Sequence, residues 1–181
     1  EFDRISENEG LRAPYSLITA GPHIFFLGLS DFMEITAGQQ PVAISKEKWS
    51  RTFFAEWDDS EPGIMIGSAD PQTTRIYWFY KASGGTTGQF NKGIVYDWVL
   101  QRAVPISGIS GEYVAPLAQA GVTLEGLTAL GFGNIDTMTI SLDDFAGSSG
   151  PAVALFNTSH QYGFLSGSNL EATLETAEQA L

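Results

Sequence analysis

Carboxylates are the most numerous groups in this sequence that could do acid–base chemistry. Hydrolysis of a glycosidic bond needs two of them converging on one bond. Asp31, Glu34 and Asp97 are the carboxylates that fall on or beside predicted strands. Their spacing does not by itself bring any two together, so the sequence assigns no catalytic pair.

Histidine and cysteine are too scarce for a familiar catalytic or metal site. His23 and His160 are the two histidines, neither has a metal-binding spacing, and cysteine is absent. We interpret His160 as a polar residue of a turn and His23 as a polar residue at the start of a strand. No nucleophile elbow or phosphate-binding loop is found. The sequence therefore predicts no catalytic residue, no metal ligand and no cofactor, and a protein that is not an enzyme.

Two acidic clusters have the residue types of a site for a hard cation. The segment EWDDSEPG contains Asp58, Asp59 and Glu61, and the segment SLDDFAGSSG contains Asp143 and Asp144. Neither cluster has the alternating ligand spacing of a calcium loop. We therefore interpret both as solvated acidic turns.

Tryptophan beside aspartate is a combination that can bind sugars, and it occurs twice. Trp57 precedes Asp58 and Asp59, and Trp98 follows Asp97. The bulk of an indole is more often part of a core. These pairs leave open an alternative function, a carbohydrate-binding or glycan-cleaving β-propeller.

The composition favours one mostly β domain with an acidic surface. The chain has 181 residues, 20 glycines, 12% aromatic residues and a formal charge of -12. Such a charge opposes direct binding to nucleic acid or to an anionic membrane. No apolar run approaches the length needed to cross a bilayer. We therefore expect no membrane span and no sequence-specific nucleic-acid binding.

Three stretches that align without gaps indicate a repeated β-hairpin. Residues 24–38 read IFFLGLSDFMEITAG, residues 94–108 read IVYDWVLQRAVPISG, and residues 153–167 read VALFNTSHQYGFLSG. In each, an apolar strand leads into a short central stretch, and a second strand ends on glycine. The alignment places Phe26, Tyr96 and Leu155 at equivalent inward positions.

Further elements flank these hairpins. Additional strands are predicted at 11–19, 75–81 and 137–142. A short helix is predicted over 44–57 with Ser45 as its cap. The insertion 113–131 is interpreted as a second short helix near 124–130 or a hydrophobic loop. The tail 170–181 suits either a helix or a strand.

Repeated units of three or four antiparallel strands are typical of β-propeller blades. Three units cannot close a propeller of about four to eight blades. We therefore expect residues 1–181 to form a single β domain or a segment of a larger propeller. A β-sandwich or open barrel is the alternative.

Five motifs, taken in their order along the chain, resemble those of a protein family from tailed bacteriophages, the tail or packaged-DNA-stabilising proteins. They are FFLGLSDFMEITAGQQPV, RTFF, SADPQTTRIYWFY, NKGIVYDWVLQRAV and VALFNTSHQYGFLSGSNLEATLETAE. The resemblance covers the chain from about residue 20 to the end. Members of that family run to several hundred residues, so the chain departs from them in length.

The resemblance implies a non-enzymatic structural protein of the virion tail. By this resemblance, the chain is expected to be a β-propeller-bearing subunit of the tail hub or nozzle below the portal, and to help retain or conduct packaged DNA. It implies a homo-oligomeric ring, commonly a hexamer, whose partners are other tail and portal or adaptor proteins. No catalytic residue is transferred from it.

Overall fold

A computed structural model describes residues 9–37, 39–119, 131 and 150–165. Within these residues the protein is mostly β. The strands are β1 (Ile18–Ala20), β2 (His23–Leu27), β3 (Phe32–Thr36), β4 (Val42–Ala43), β5 (Ile66–Ala69), β6 (Arg75–Tyr80), β7 (Phe90–Asp97), β8 (Arg102–Gly111), β9 (Tyr113–Gln119), β10 (Gly150–Phe156) and β11 (Tyr162–Phe164). One helix, α1 (Ser50–Glu56), lies between β4 and β5, and short 3-10 turns span Pro14–Ser16 and Pro62–Ile64.

The strands form three antiparallel sheets. The first sheet has the order β1-β2-β3-β4, the middle sheet β5-β6-β7-β8, and the third sheet β9-β10-β11. Among the described strands, neighbours in each sheet follow one another along the chain, so the first and middle sheets are simple meanders. Residues 120–130 and 132–149, which connect β9 to β10, lie outside the described residues. The predicted mostly β fold with antiparallel hairpins and a short helix is confirmed at this level.

Each of the three aligned stretches contains two paired antiparallel strands. The hairpins are β2–β3, β7–β8 and β10–β11. The first two hairpins have loops of equal length, since Leu27 pairs with Phe32 in one and Asp97 pairs with Arg102 in the other. The third loop is one residue longer, and Phe156 pairs with Tyr162.

The glycines that close the aligned stretches do not all mark strand ends. Gly108 has a φ of 74° but lies inside β8, which continues to Gly111. The expectation that the second hairpin ends at Gly108 was therefore wrong, although its left-handed backbone does favour glycine. Gly38 and Gly167 lie outside the described residues.

The predicted flanking strands have different outcomes. Residues 75–81 contain β6, as expected. Most of 11–19 is not a strand, because Pro14 begins a 3-10 turn and only the end of the segment enters β1. The hydroxyl of Ser16 holds this turn by donating to Ala13 O and accepting from Leu27 N. The predicted strand at 137–142 lies outside the described residues.

The helix predicted over 44–57 is shorter than expected. It begins at Ser50, and Ser45 does not cap it. The Ser45 hydroxyl instead accepts from Phe32 N and donates to Asp31, which anchors the segment to β3. The second predicted helix near 124–130 and the tail 170–181 lie outside the described residues.

Strand β9 was missed, because the sequence interpretation placed its residues in an insertion. It pairs with β10 along its whole length, from Tyr113 opposite Phe156 to Gln119 opposite Gly150. Pro116 weakens its local strand signal. The pairing with β10 therefore defines this strand more than its own sequence does.

Among the described residues, the buried apolar side chains form two layers, one on each face of the middle sheet. The first layer, between the first sheet, α1 and the middle sheet, contains Trp78 and Tyr80. The second layer, towards the third sheet, contains Phe79 and Phe90. Successive side chains of a strand point to opposite faces. The continuous aromatic run of β6 is therefore explained by burial on both faces.

Phe26, Tyr96 and Leu155 occupy equivalent positions along their strands, but their side chains pack in different surroundings. Phe26 and Tyr96 are both buried, and Leu155 is partly buried. Tyr96 belongs to the first layer and Leu155 packs against the second, whereas Phe26 is in neither. The backbone repeats without repeating the core contacts.

Candidate functional site

The acidic cluster after α1 is organised around a buried lysine. Lys81, only 7% exposed at its side chain, places Nζ 3.1 Å from Asp58 Oδ2 and 2.5 Å from Glu61 Oε1. The other Glu61 oxygen accepts from Gly88 N at 2.7 Å. Hydrogen bonds from Ser60 and Lys81 lower the pKa of Asp58 to about 2. The pKa of Glu61 is lowered by Lys81, and that of Lys81 is raised by its two carboxylates. These ion pairs tie the loop after α1 to the loop after β6.

The neighbouring Trp57 is a covered side chain and not an open sugar platform. It is 7% exposed and belongs to the first layer. The Arg12 guanidinium lies 4.8 Å from its ring centroid and also pairs with Asp59 at 3.1 Å. Across the part of the chain that the structure describes, no group of three or more candidate ligands could hold a metal ion. Asp143 and Asp144 lie outside the described residues.

The three candidate catalytic carboxylates have separate local contacts. Asp31 accepts from the Ser45 hydroxyl, and Glu34 Oε1 lies 2.7 Å from His23 Nδ1. Asp97 accepts from the backbone of the turn that follows it, which is the main cause of its lowered pKa. Each carboxylate therefore holds a turn or a neighbouring side chain.

Both histidines occupy the kinds of position that the sequence predicts. His160 lies in the loop between β10 and β11, with a φ of 58° and an exposed side chain. His23 begins β2, where it stacks on Phe25 with a centroid distance of 5.9 Å. Its contact with Glu34 was not foreseen, because the two residues lie on different strands.

A pocket of about 520 Å³ lies beside His23, and we call it the turn pocket. Its walls come from turns of the first and middle sheets and from Pro116 in the middle of β9. Its lining includes Thr19, His23, Asp70, Thr73, Trp98 and Pro116. Trp98 follows β7 and is partly exposed. Of the two predicted sugar-binding tryptophans, Trp98 alone lines this pocket.

A second cavity, of about 430 Å³, lies between α1 and strands β6 to β8. Phe53 and Ile94 form part of its apolar wall. Glu56 also lines it, and its Oε2 atom lies 2.7 Å from Lys92 Nζ and 3.5 Å from the Tyr80 hydroxyl. Burial and, to a smaller extent, Glu56 raise the pKa of Tyr80 well above its usual value. We call this cavity the helix groove.

Sequence reasoning missed several residues that shape these features. Lys81 could have been noticed as a cation directly after an aromatic strand, where a charge needs a partner. Asp70 and Thr73 lie in a turn whose hydrogen bonding is local, and no motif singles them out. Pro116 approaches the pocket only because β9 does.

In the residues that the structure covers, no helix is both long and apolar enough to cross a bilayer. A comparison with protein-family models finds no match, and a comparison with curated proteins also finds none. The resemblance to phage tail proteins accordingly rests on the sequence motifs alone.

Proposed function

We propose that this chain is a non-enzymatic structural component of a bacteriophage tail, a hub or nozzle part that helps to retain or conduct packaged DNA. In this proposal its sheets are blades of a β-propeller that is completed by further sequence or by other subunits. The observation that carries the proposal is the stacking of three antiparallel sheets in chain order, with the middle sheet packed against apolar layers on both faces.

The contacts between the sheets support a radial arrangement. The first strand of the middle sheet, β5, contacts both β1 and β9, the first strands of the other two sheets. In a propeller, blades stand around a central channel. Contacts between first strands are what such an arrangement requires. They favour blades over the alternative of a two-layer sandwich.

The third sheet carries an aromatic row on the face remote from the middle sheet. Tyr113, Phe156 and Tyr162 are direct neighbours across three strands. Tyr113 is 53% exposed and Tyr162 is 60% exposed. Val153, which points the other way, fills the second layer. An apolar face of this kind suits packing against a further blade.

The charge of the chain supports a role beside DNA without tight binding. A formal charge of -12 repels the phosphate backbone. A channel wall of this sign lets DNA slide without adhering. The ring arrangement, its hexameric order and the contacts with portal or adaptor proteins come from the resemblance.

Assembly is the direct test. Light scattering and negative-stain imaging of the chain should show rings or larger assemblies, with contacts of about 1,000 Å² or more as stable interfaces have. The double variant Tyr113→Lys, Tyr162→Lys should reduce the assembled mass, because it places charge on the aromatic row. Tyr15→Lys, at a tyrosine that is also 60% exposed, is the matched control.

Two results would contradict the proposal. One is a chain that stays monomeric alone and with tail or portal proteins. The other is an assembly that loses as much mass in the Tyr15→Lys control as in the double variant. Imaging of labelled virions would then test the tail location independently.

A further inference from the structure

The turn pocket is an open cavity lined by residues of all three sheets. Its walls are the β1–β2 turn, the turn after β5, Trp98 after β7, and Pro116 on β9. Its volume of about 520 Å³ falls within the range of about 300–1,000 Å³ that ligand pockets have. Convergence of several turns on one cavity is the usual construction of a small-molecule site.

Trp98 gives this pocket a fixed aromatic wall. Its ring centroid lies 5.9 Å from that of Phe25 and 6.5 Å from that of His23. Its backbone N–H donates to Thr74 O at 3.1 Å, and the Asp97 side chain holds the rest of the turn. The indole is therefore supported from behind by the first layer and does not need to be ordered by a ligand.

The polar groups of the pocket are also held in place before any ligand enters. Asp70 accepts from Gln72 N at 2.9 Å and from the Thr73 hydroxyl at 2.6 Å. His23 Nδ1 is engaged by Glu34 at 2.7 Å, so Nε2 is the ring nitrogen left for a ligand. A preorganised acceptor and a preorganised imidazole lower the entropic cost of binding.

This combination suits a ligand that has an apolar face and hydroxyl groups. A sugar ring can lay its C–H face on an indole, which has a large apolar surface. Its hydroxyls can donate to a carboxylate, and hydrogen bonds to charged groups are stronger than those between neutral ones. An anionic ligand would be repelled by Asp70 and Glu34.

We propose that the turn pocket binds a neutral saccharide, with a pyranose ring against Trp98 and hydroxyls on Asp70 and His23. A basic side chain is the competing occupant, because it also suits a carboxylate and an indole. Both Asp70 oxygens already accept a hydrogen bond within the turn, so a bidentate guanidinium would have to use the remaining lone pair of each oxygen, whereas a single sugar hydroxyl needs only one of them. The saccharide therefore fits better.

Saturation-transfer NMR on the whole chain tests this assignment. The probes are glucose, galactose, mannose, rhamnose and N-acetylglucosamine, each at millimolar concentration, together with the amide of N-acetylarginine. At least one sugar should receive saturation, most strongly at its ring C–H protons. Asp70→Asn keeps the turn acceptor for Gln72 N and should weaken binding roughly tenfold. Trp98→Leu should abolish it.

Two control variants separate the site from general effects. Glu47→Gln removes one exposed charge from a turn outside the pocket, and Tyr15→Leu removes one exposed aromatic ring that lies outside both the pocket and the aromatic row. Both should bind the sugar as the unaltered chain does. Circular dichroism of Trp98→Leu checks that its loss of binding is not unfolding, and Asp70→Asn provides the second, milder measurement.

Three outcomes would overturn the proposal. No sugar receives saturation, or a sugar binds equally well to every variant, or only the arginine probe binds and is lost in Asp70→Asn. Saturation transfer works on single chains and on large assemblies alike. Failure of sugar binding would therefore leave the proposed tail role untouched, and a failure to assemble would leave the sugar site untouched.

Discussion

Replacing Phe79 with alanine tests whether the middle sheet is buried on both faces. The side chain is fully buried in the second layer, with its ring centroid 5.0 Å from that of Phe90. It also packs closely against Gly93, where an added Cβ would come within 2.8 Å of Phe79 Cδ1. Because this ring has close neighbours on two sides, its removal leaves a cavity that the sheet cannot easily close.

The expected cost of Phe79→Ala is about 3–5 kcal/mol, the usual range for a buried phenylalanine. That is a large share of a typical unfolding free energy of about 5–15 kcal/mol. With a urea dependence of about 2 kcal/mol per molar, the unfolding midpoint should fall by about 1.5–2.5 M. Ile76→Ala, on the opposite face of β6, should cost about 2–5 kcal/mol.

Urea titration followed by circular dichroism and tryptophan fluorescence measures both changes. Protein concentration must be the same in every titration, since assembly would shift the apparent stability. Val104→Ala, at a side chain that is 59% exposed, is the control and should change stability by no more than about 0.5 kcal/mol. If Phe79→Ala cost less than about 1 kcal/mol while Ile76→Ala stayed costly, the third sheet would not pack on the middle one.

Three further changes test other parts of the fold. Gly111→Ala should lower the free energy of unfolding by about 1–3 kcal/mol in thermal unfolding, because the added Cβ would lie 2.7 Å from a backbone oxygen. Gly163→Ala is the control and should have a smaller effect, because the space around Gly163 is open. Gly108→Val should cost about 1–3 kcal/mol because its φ is 74°, and an unchanged melting temperature would contradict this. Hydrogen bonds from Ser60 lower the pKa of Asp58 to about 2. The ionised Asp58 should therefore contribute stability that is complete above about pH 4 and is lost as the pH falls towards 2. In an acid titration, the Asp58→Asn variant should not show this loss.

Strands with strong local signals were predictable from the sequence. The β6 segment is a run of aromatic and β-branched residues, and each aligned hairpin has an apolar strand before a short polar or mixed loop. Strands such as β5 were not predictable in this way. Gly67 allows the first sheet to approach, since a Cβ there would lie 2.5 Å from Ile18 Cδ1. Contacts with distant residues define such a strand, and no local pattern records them.

The candidate site was predictable in its residue types but not in its partners. Trp98 was identified beside Asp97, yet that carboxylate holds the turn and Asp70 is the one that lines the pocket. His23 was interpreted as a polar strand residue, and its pairing with Glu34 depends on the register of β2 and β3. Which side chains share a cavity follows from how the sheets stack.

The two proposals depend on opposite regions of the same stack and can therefore fail separately. The turn pocket lies at the ends of β1 and β5 and beside Pro116 in the middle of β9, whereas the aromatic row lies on the outer face of the third sheet. Since Trp98 is held by its own turn and by the first layer, its replacement should leave assembly intact. Charge placed at Tyr113 and Tyr162 should leave sugar binding intact for the same reason. A single variant that kept the circular dichroism of the unaltered chain and yet abolished both would mean that the pocket forms only when the sheets of neighbouring chains are stacked.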